Sequence, residues 1–261
     1  MFQMPEGQES AAVALAASQP STLSIEPVSV STSQRAFGLL VVLAVAFLSS
    51  VVSSLSIVHG AHYNYPDSLV GFRYFETLLH ELISLGLLVY VLQQNQQRWA
   101  DFGLGFRGKD ITHGIILWGI TTWGYRLLLP SMLSFCQWLG WQRSPAYLPG
   151  AKLGFGLLTL CFVVVNPIFE EMIVRAFLMS ETIALTGSTA LAVLFSSILQ
   201  TSYHLYQGIP YAISLGLVFL LFSLYYARTR RILPILFAHF LADLWFHLRY
   251  VIQAHVAHVR S

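Results

Sequence analysis

The stretch Asn166-Pro167-Ile168-Phe169-Glu170-Glu171-Met172-Ile173-Val174-Arg175 decides how the rest of the chain is read. It lies inside an apolar run covering about residues 155–185, and about 20 mostly apolar residues suffice for a helix to span a bilayer. Two adjacent carboxylates and a guanidinium at that depth cost about 2.5–3.5 kcal/mol each on insertion scales. Groups carried at that cost face a protein interior or a wet cavity and mark functional sites.

Helical spacing gives the three side chains different surroundings. Glu171 and Arg175 are four apart, so they share a face and can pair. Glu170 points about 100° away from Glu171, because a helix has about 3.6 residues per turn. Arg175 is therefore expected to neutralise Glu171 and to leave Glu170 free as a candidate general base. Pro167 cannot donate to the carbonyl four residues back, so the helix is expected to open or bend just before Glu170 and admit water. The competing reading is a structural ion-pair cluster that holds a helix bundle together.

Composition sets the class. The 261 residues are 56% hydrophobic and only 10% charged, against about 25% charged in soluble domains. This describes an all-α, polytopic transmembrane helix bundle whose first partner is the lipid bilayer. The net charge of +2 and the lack of a long basic run exclude a nucleic-acid partner. Cys136 and Cys161 have no metal-binding or redox spacing and read as packing residues.

Residues 1–34 are rich in Ser, Ala, Val, Pro and Gln, and the first basic residue is Arg35. They lack the positive start and apolar core of a signal peptide, and read as a flexible N-terminal tail. Residues 35–251 form the membrane domain, and 252–261 a short C-terminal tail. About seven spans are expected, near 36–58, 72–92, 111–130, 155–185, 190–203, 210–227 and 232–251. The stretch 131–152, with Trp138 and Trp141, reads as an interfacial loop; an eighth span within it is the alternative count. In the second span, His80-Glu81 would need a histidine at 84 to form a zinc-protease motif. Ser84 stands there, so Glu76 and His80, one turn apart, are expected to contact each other instead. The basic loops 93–110 and 228–231 fall on one side, which the positive-inside rule makes cytoplasmic. The N-terminus is then inside and the C-terminus outside.

Two further polar clusters follow the Glu-Glu stretch. His204 ends the fifth span, and His239 and Asp243 lie one turn apart on the seventh. Asp243 can accept from His239 and fix its tautomer. A lone histidine in an apolar span is ordinarily a packing residue. Three clusters on nearby helices are harder to read that way, because each carries its own cost.

Glu170-Glu171-x-x-x-Arg175, then Ser196-Ser197-Ile198-Leu199-Gln200-Thr201-Ser202-Tyr203-His204-Leu205-Tyr206-Gln207-Gly208, then His239-x-x-x-Asp243 resemble the three motifs of one family. It is the CPBP intramembrane glutamic endopeptidases, also called CAAX proteases or bacteriocin-processing Abi proteins, which include Rce1-like prenyl-protein proteases. The resemblance covers about residues 150–250, with weaker support from Asp101-Phe102-Gly103-Leu104. It implies that Glu170 activates a water for attack on a peptide carbonyl and that His204 shares that water. It implies that His239 and Asp243 stabilise the oxyanion, that Glu171 and Arg175 support the site, and that no metal or other cofactor is used. The implied substrate is a peptide or protein, lipidated or membrane-anchored: a prenylated C-terminus, a leader peptide or a sorting tail.

The chain departs from the family pattern twice. Gln200 stands where the family usually has Phe, and from the same helix face it could hydrogen-bond His204. Asp243 stands where Asn is common, and an ionised aspartate only accepts. Either Asp243 is protonated, or it orients His239 and His239 alone donates. Other classes remain in view. A transporter predicts inverted repeats, and none is visible. A non-catalytic membrane scaffold of the same fold would be expected to have lost some motif acids and histidines, and all are present. A metal-dependent protease would bind zinc through Glu170, His204, His239 and Asp243.

Overall fold

The computed structural model describes residues 30–60, 69–141 and 156–260. Readings of residues 1–29, of loop residues 61–68 and of 142–155 lie outside the described residues. Within them the chain is helical, with no strand. Helix α1 is Thr32–Val58, α2 is Val70–Gln94, α4 is Leu157–Thr186 and α6 is Ile209–Thr229. Helix α3 is Lys109–Trp138, α5 is Thr189–Tyr203 and α7 is Leu233–Arg260.

Four of these, α1, α2, α4 and α6, are long and apolar enough to cross a membrane. The expected seven crossings are therefore supported only in part. Helix α5 has 15 residues and is about 22 Å long at 1.5 Å per residue, short of a hydrocarbon core of about 30 Å. It ends inside the bundle, where the one-turn helix Leu205–Gln207 packs on the second half of α1. The 131–152 loop reading also changes. Helix α3 continues through Pro130 to Trp138, with Pro130 exposed on its outer side. Helix α7 likewise continues to Arg260, past the boundary expected at 251.

Helix α4 is the centre of the bundle and packs against α1, α2, α5, α6 and α7. Every residue from Phe169 to Met179 is buried, the three charged ones with the apolar ones, as the surrounding helices enclose α4 on all sides. Gly187 ends α4 in the left-handed conformation, φ 70°, which glycine adopts without a Cβ penalty. Helices α5 and α6 approach closely because a Cβ at Gly216 would collide with Thr201, the small-residue contact by which membrane helices pack.

The polarity is inverted relative to a soluble protein. Phe37, Phe72, Ile116, Leu127 and Phe195 are exposed, while Glu81, Glu170, Glu171, Arg175 and Gln200 are buried. Of the two cysteines only Cys136 packs inside; Cys161 is exposed.

One end of the bundle gathers the basic loops. Arg35 Nη1 at the start of α1 lies 3.1 Å from Glu181 Oε1 near the end of α4, and Gln97, just after α2, donates to the same carboxylate. Arg230 donates to Ser180 Oγ at 2.9 Å. Arg231 donates to Asp110 Oδ1 at 2.8 Å and to the Gly105 carbonyl at 2.6 Å. Loops 93–110 and 228–231 thus meet at one end, as the charge pattern required. Arg231 bonding holds the Asp110 carboxyl below its ordinary range.

Candidate active site

Helix α4 carries both glutamates through Pro167 without opening. The expected break before Glu170 is absent: α-helix runs from Leu157 to Glu171, and the ladder slips to π geometry only over Met172–Phe177. Such π turns recur at functional sites. Arg175, inside that turn, stays one turn from Glu171, with Nη1 3.3 Å from Oε1 and Nε 3.2 Å from Oε2. The first contact is a hydrogen bond; the second is close but misaligned, and leaves Nε and Oε2 without a hydrogen-bond partner. The expected Glu171–Arg175 pair is therefore present, fully buried.

Glu170 faces the other way, toward α5, as its angular position required. It is not free, which corrects the expectation. Its Oε2 accepts from Tyr203 Oη at 2.6 Å and from Gln200 Nε2 at 2.8 Å. Asn166 Nδ2, one turn earlier on α4, lies 3.4 Å from its Oε1. The three donors are neutral. Arg175 is spent on Glu171 and Gln200, so among the described residues no cationic side chain hydrogen-bonds Glu170. The burial penalty is instead offset by hydrogen bonds.

Gln200 joins the two halves of the site. Its oxygen accepts from Arg175 Nη1, and its nitrogen donates to Glu170 and lies 3.2 Å from His204 Nε2. An amide has one accepting and one donating end, so a guanidinium on one side and a carboxylate on the other fix its orientation.

His204 sits at the C-cap of α5, where the chain leaves the helix. Its Nε2 is 3.9 Å from Glu170 Oε2, too long for a direct hydrogen bond and short enough for one water to touch both. Its Nδ1 is 3.1 Å from the Gln207 side-chain amide. The backbone here is tied to α1, because Ser54 Oγ donates to the Tyr203 carbonyl at 2.9 Å and Phe47 stacks on Tyr203.

His239 comes from α7, and its Nδ1 lies 2.7 Å from Glu171 Oε1. Asp243 Oδ1 is 3.7 Å from Nε2. The expectation that Asp243 fixes the tautomer is therefore corrected: Glu171 makes the bond, and a carboxylate 3.7 Å away is too distant for one. Phe219 of α6 has its ring centroid 5.0 Å from the Arg175 guanidinium and 6.0 and 5.2 Å from the rings of His204 and His239.

The sequence-derived residues Glu170, Glu171, Arg175, Gln200, His204, His239 and Asp243 thus converge from α4, α5 and α7. Tyr203, Asn166, Phe219 and Glu81 were missed as site residues. Tyr203 precedes His204 and Asn166 stands one turn before Glu170, so both positions were visible; their bonds were not. Glu76 and His80 do not pair. Glu76 lies 3.1 Å from Arg73, and His80 Nε2 reaches the Val45 carbonyl at 2.9 Å, within the π turn Ala44–Leu48 of α1. Among the described residues no group of three or more His, Cys, Asp or Glu side chains is spaced to hold a metal ion.

Residues 152–245 match the family described as type II CAAX prenyl endopeptidase Rce1-like. The matched segment contains Glu170, Glu171, Arg175, Gln200, His204, His239 and Asp243, and the match agrees with the family that the motifs resemble. No curated protein and no solved structure matches the chain.

Proposed function

We propose that the chain is an integral-membrane glutamic endopeptidase that hydrolyses a peptide bond near or within the membrane. The observation that carries this reading is the approach of Glu170 Oε2 to His204 Nε2, 3.9 Å apart and both in contact with Gln200 Nε2, a separation that one bridging water can serve. Glu170 takes a proton from that water as its oxygen attacks the peptide carbonyl. The carbonyl electrons move to oxygen, and the tetrahedral adduct collapses to a carboxyl and a free amine, which receives the transferred proton. No covalent enzyme intermediate forms.

His239 is the candidate oxyanion donor. With Nδ1–H directed at Glu171, it offers Nε2–H to the oxyanion only when it carries both protons. Asp243, with Oδ1 3.7 Å from Nε2, borders the oxyanion position beside His239. Arg175 supports Glu171 directly and Glu170 only through Gln200.

The substrate class is a peptide or protein that reaches the site from the bilayer, lipidated or membrane-anchored. We place the basic end, where loops 93–110 and 228–231 meet, in the cytoplasm, with the N-terminus on the same side. Cysteines introduced at 107 and 228 should label only from the cytoplasmic face.

The test uses purified protein in liposomes with three peptides: a farnesylated C-terminal peptide, a leader peptide and a membrane-anchored tail, with products read by mass spectrometry. Cleavage of one of them at a single bond, undiminished by chelators, is expected. No cleavage of any would overturn the reading. Stoichiometric zinc, with activity lost on its removal and recovered on its return, would replace it with a metalloprotease.

A further inference from the structure

Glu81 lies on α2, outside the Rce1-like segment, and is 2% exposed. A carboxylate within a membrane-length helix costs about 2.5–3.5 kcal/mol on insertion scales. Ordinarily a cation offsets that cost. Here the recorded partner is an amide: Asn166 Nδ2 donates to Glu81 Oε1 at 2.8 Å. The other oxygen, Oε2, is buried with no hydrogen-bond partner among the described residues.

Helix docking does not account for this carboxylate. Helices α2 and α4 already pack through apolar contacts, among them the edge-to-face pair of Tyr74 and Phe162 at 5.0 Å. Replacing a buried charged group by an apolar one of similar volume is often neutral or stabilising, so Leu at 81 would dock the helices at least as well. What Leu could not do is hold Asn166.

The same Asn166 nitrogen lies 3.4 Å from Glu170 Oε1. An amide nitrogen has two hydrogens, so one can serve Glu81 while the other is aimed at Glu170. Without Glu81 the Asn166 amide turns freely about its terminal torsion, and Glu170 keeps only the two bonds to Oε2. With Glu81 both oxygens are set, Oε2 by Gln200 and Tyr203 on α5 and Oε1 by Asn166. The carboxylate that must take the proton from water is then held in one orientation, with Oε2 3.9 Å from His204 Nε2.

We propose that Glu81 is a positioning residue of this site, fixing Glu170 through Asn166. The inference rests on the endopeptidase reading. It requires an acceptor at position 81, and does not require a charge there.

The experiment compares wild type, Glu81→Gln, Glu81→Leu, Asn166→Ala and the double variant Glu81→Leu/Asn166→Ala in liposomes. The probe is whichever of the three peptides the wild type cleaves. Rates are normalised to protein that is monodisperse and melts cooperatively. Glu81→Gln keeps an acceptor oxygen and should retain kcat within a few-fold. Glu81→Leu and Asn166→Ala should each lose kcat, by up to about 100-fold for a misplaced catalytic group, with KM little changed. The double variant should lose no more than either single one, because both break the same linkage.

If Glu81→Leu fails to fold, Asn166→Ala against wild type still reads the linkage. Normal kcat in Glu81→Leu or in Asn166→Ala overturns the proposal, and so does Glu81→Gln as impaired as Glu81→Leu. A purely structural role would lower melting and leave kcat per folded molecule unchanged, which also overturns it. A wild type that cleaves none of the peptides removes the endopeptidase reading and the proposal with it. An active wild type with unaffected Glu81 and Asn166 variants removes the proposal alone.

Discussion

Glu171 Oε1 lies 2.7 Å from His239 Nδ1, so the carboxylate that pairs with Arg175 on α4 also aims an imidazole on α7. Glu171→Gln should therefore do two things. It leaves Arg175 without its counter-ion in a fully buried position, and breaking a buried pair costs about 3–5 kcal/mol. It also loosens His239. The expected outcome is a lower melting temperature in detergent and reduced, measurable cleavage. Replacing Glu171 and Arg175 together should be milder for folding than replacing Glu171 alone; a double variant that is additively worse contradicts the pairing.

Gln200 supplies the link between Arg175 and Glu170. Gln200→Leu keeps the volume and removes both ends of that link, leaving a buried guanidinium donor unmet. A buried group left without its partner costs about 1–3 kcal/mol, more if charged. Lower thermal stability is expected, together with a lower kcat, because Glu170 Oε2 then keeps only Tyr203. Unchanged melting would show that the amide is incidental.

At the basic end the tie between loops is ionic and outside the membrane-spanning segments. Asp110 is held below its ordinary value of 3.8 by Arg231. A depressed carboxyl contributes stability that is present above the unfolded value and lost as pH falls through the folded one. The loops should stay joined throughout the neutral range and separate only on acidification below about pH 4. Proteolysis of loop 93–110, followed against pH with an acid-tolerant protease, reads this. Asp110→Asn should give enhanced cleavage already at neutral pH; equal protection in wild type and variant at pH 7 would contradict the role of the pair.

Much of this architecture is legible from local pattern. The apolar runs mark the helices, Gly187 marks the end of α4, and the four-residue spacing of Glu171 and Arg175 fixes their pair. The opposite facing of Glu170 follows from the same geometry. What the chain does not display is tertiary. Glu170 looked free because its donors, Tyr203 and Gln200, come from another helix. Asp243 looked like the partner of His239 because it is one turn away, whereas Glu171 reaches it across the bundle.

Pro167 looked like a break, yet the helix bonds past it and relaxes at Met172–Phe177. The third span reads as ending near Pro130 or a little beyond, and α3 runs on to Trp138 with Pro130 on an exposed face. His80 looked like a partner for Glu76, and bonds a backbone carbonyl of α1 that no sequence pattern reveals. Helix α5 reads as a crossing because its residues are apolar, and its 15 residues leave it outside the four helices long and apolar enough to cross a membrane.

The central claim is that Glu170 and Glu171, chemically identical neighbours, do different work. The most direct measurement is peptide cleavage by Glu170→Gln beside Glu171→Gln, each with its melting curve. Glu170→Gln keeps the shape and cannot take a proton, so it should remain folded and lose about 10²–10⁴-fold in rate. Glu171→Gln should stay partly active and melt lower. If Glu171→Gln is inactive but stable while Glu170→Gln still cleaves, the roles are reversed; if both variants cleave at the wild-type rate, the endopeptidase account is wrong.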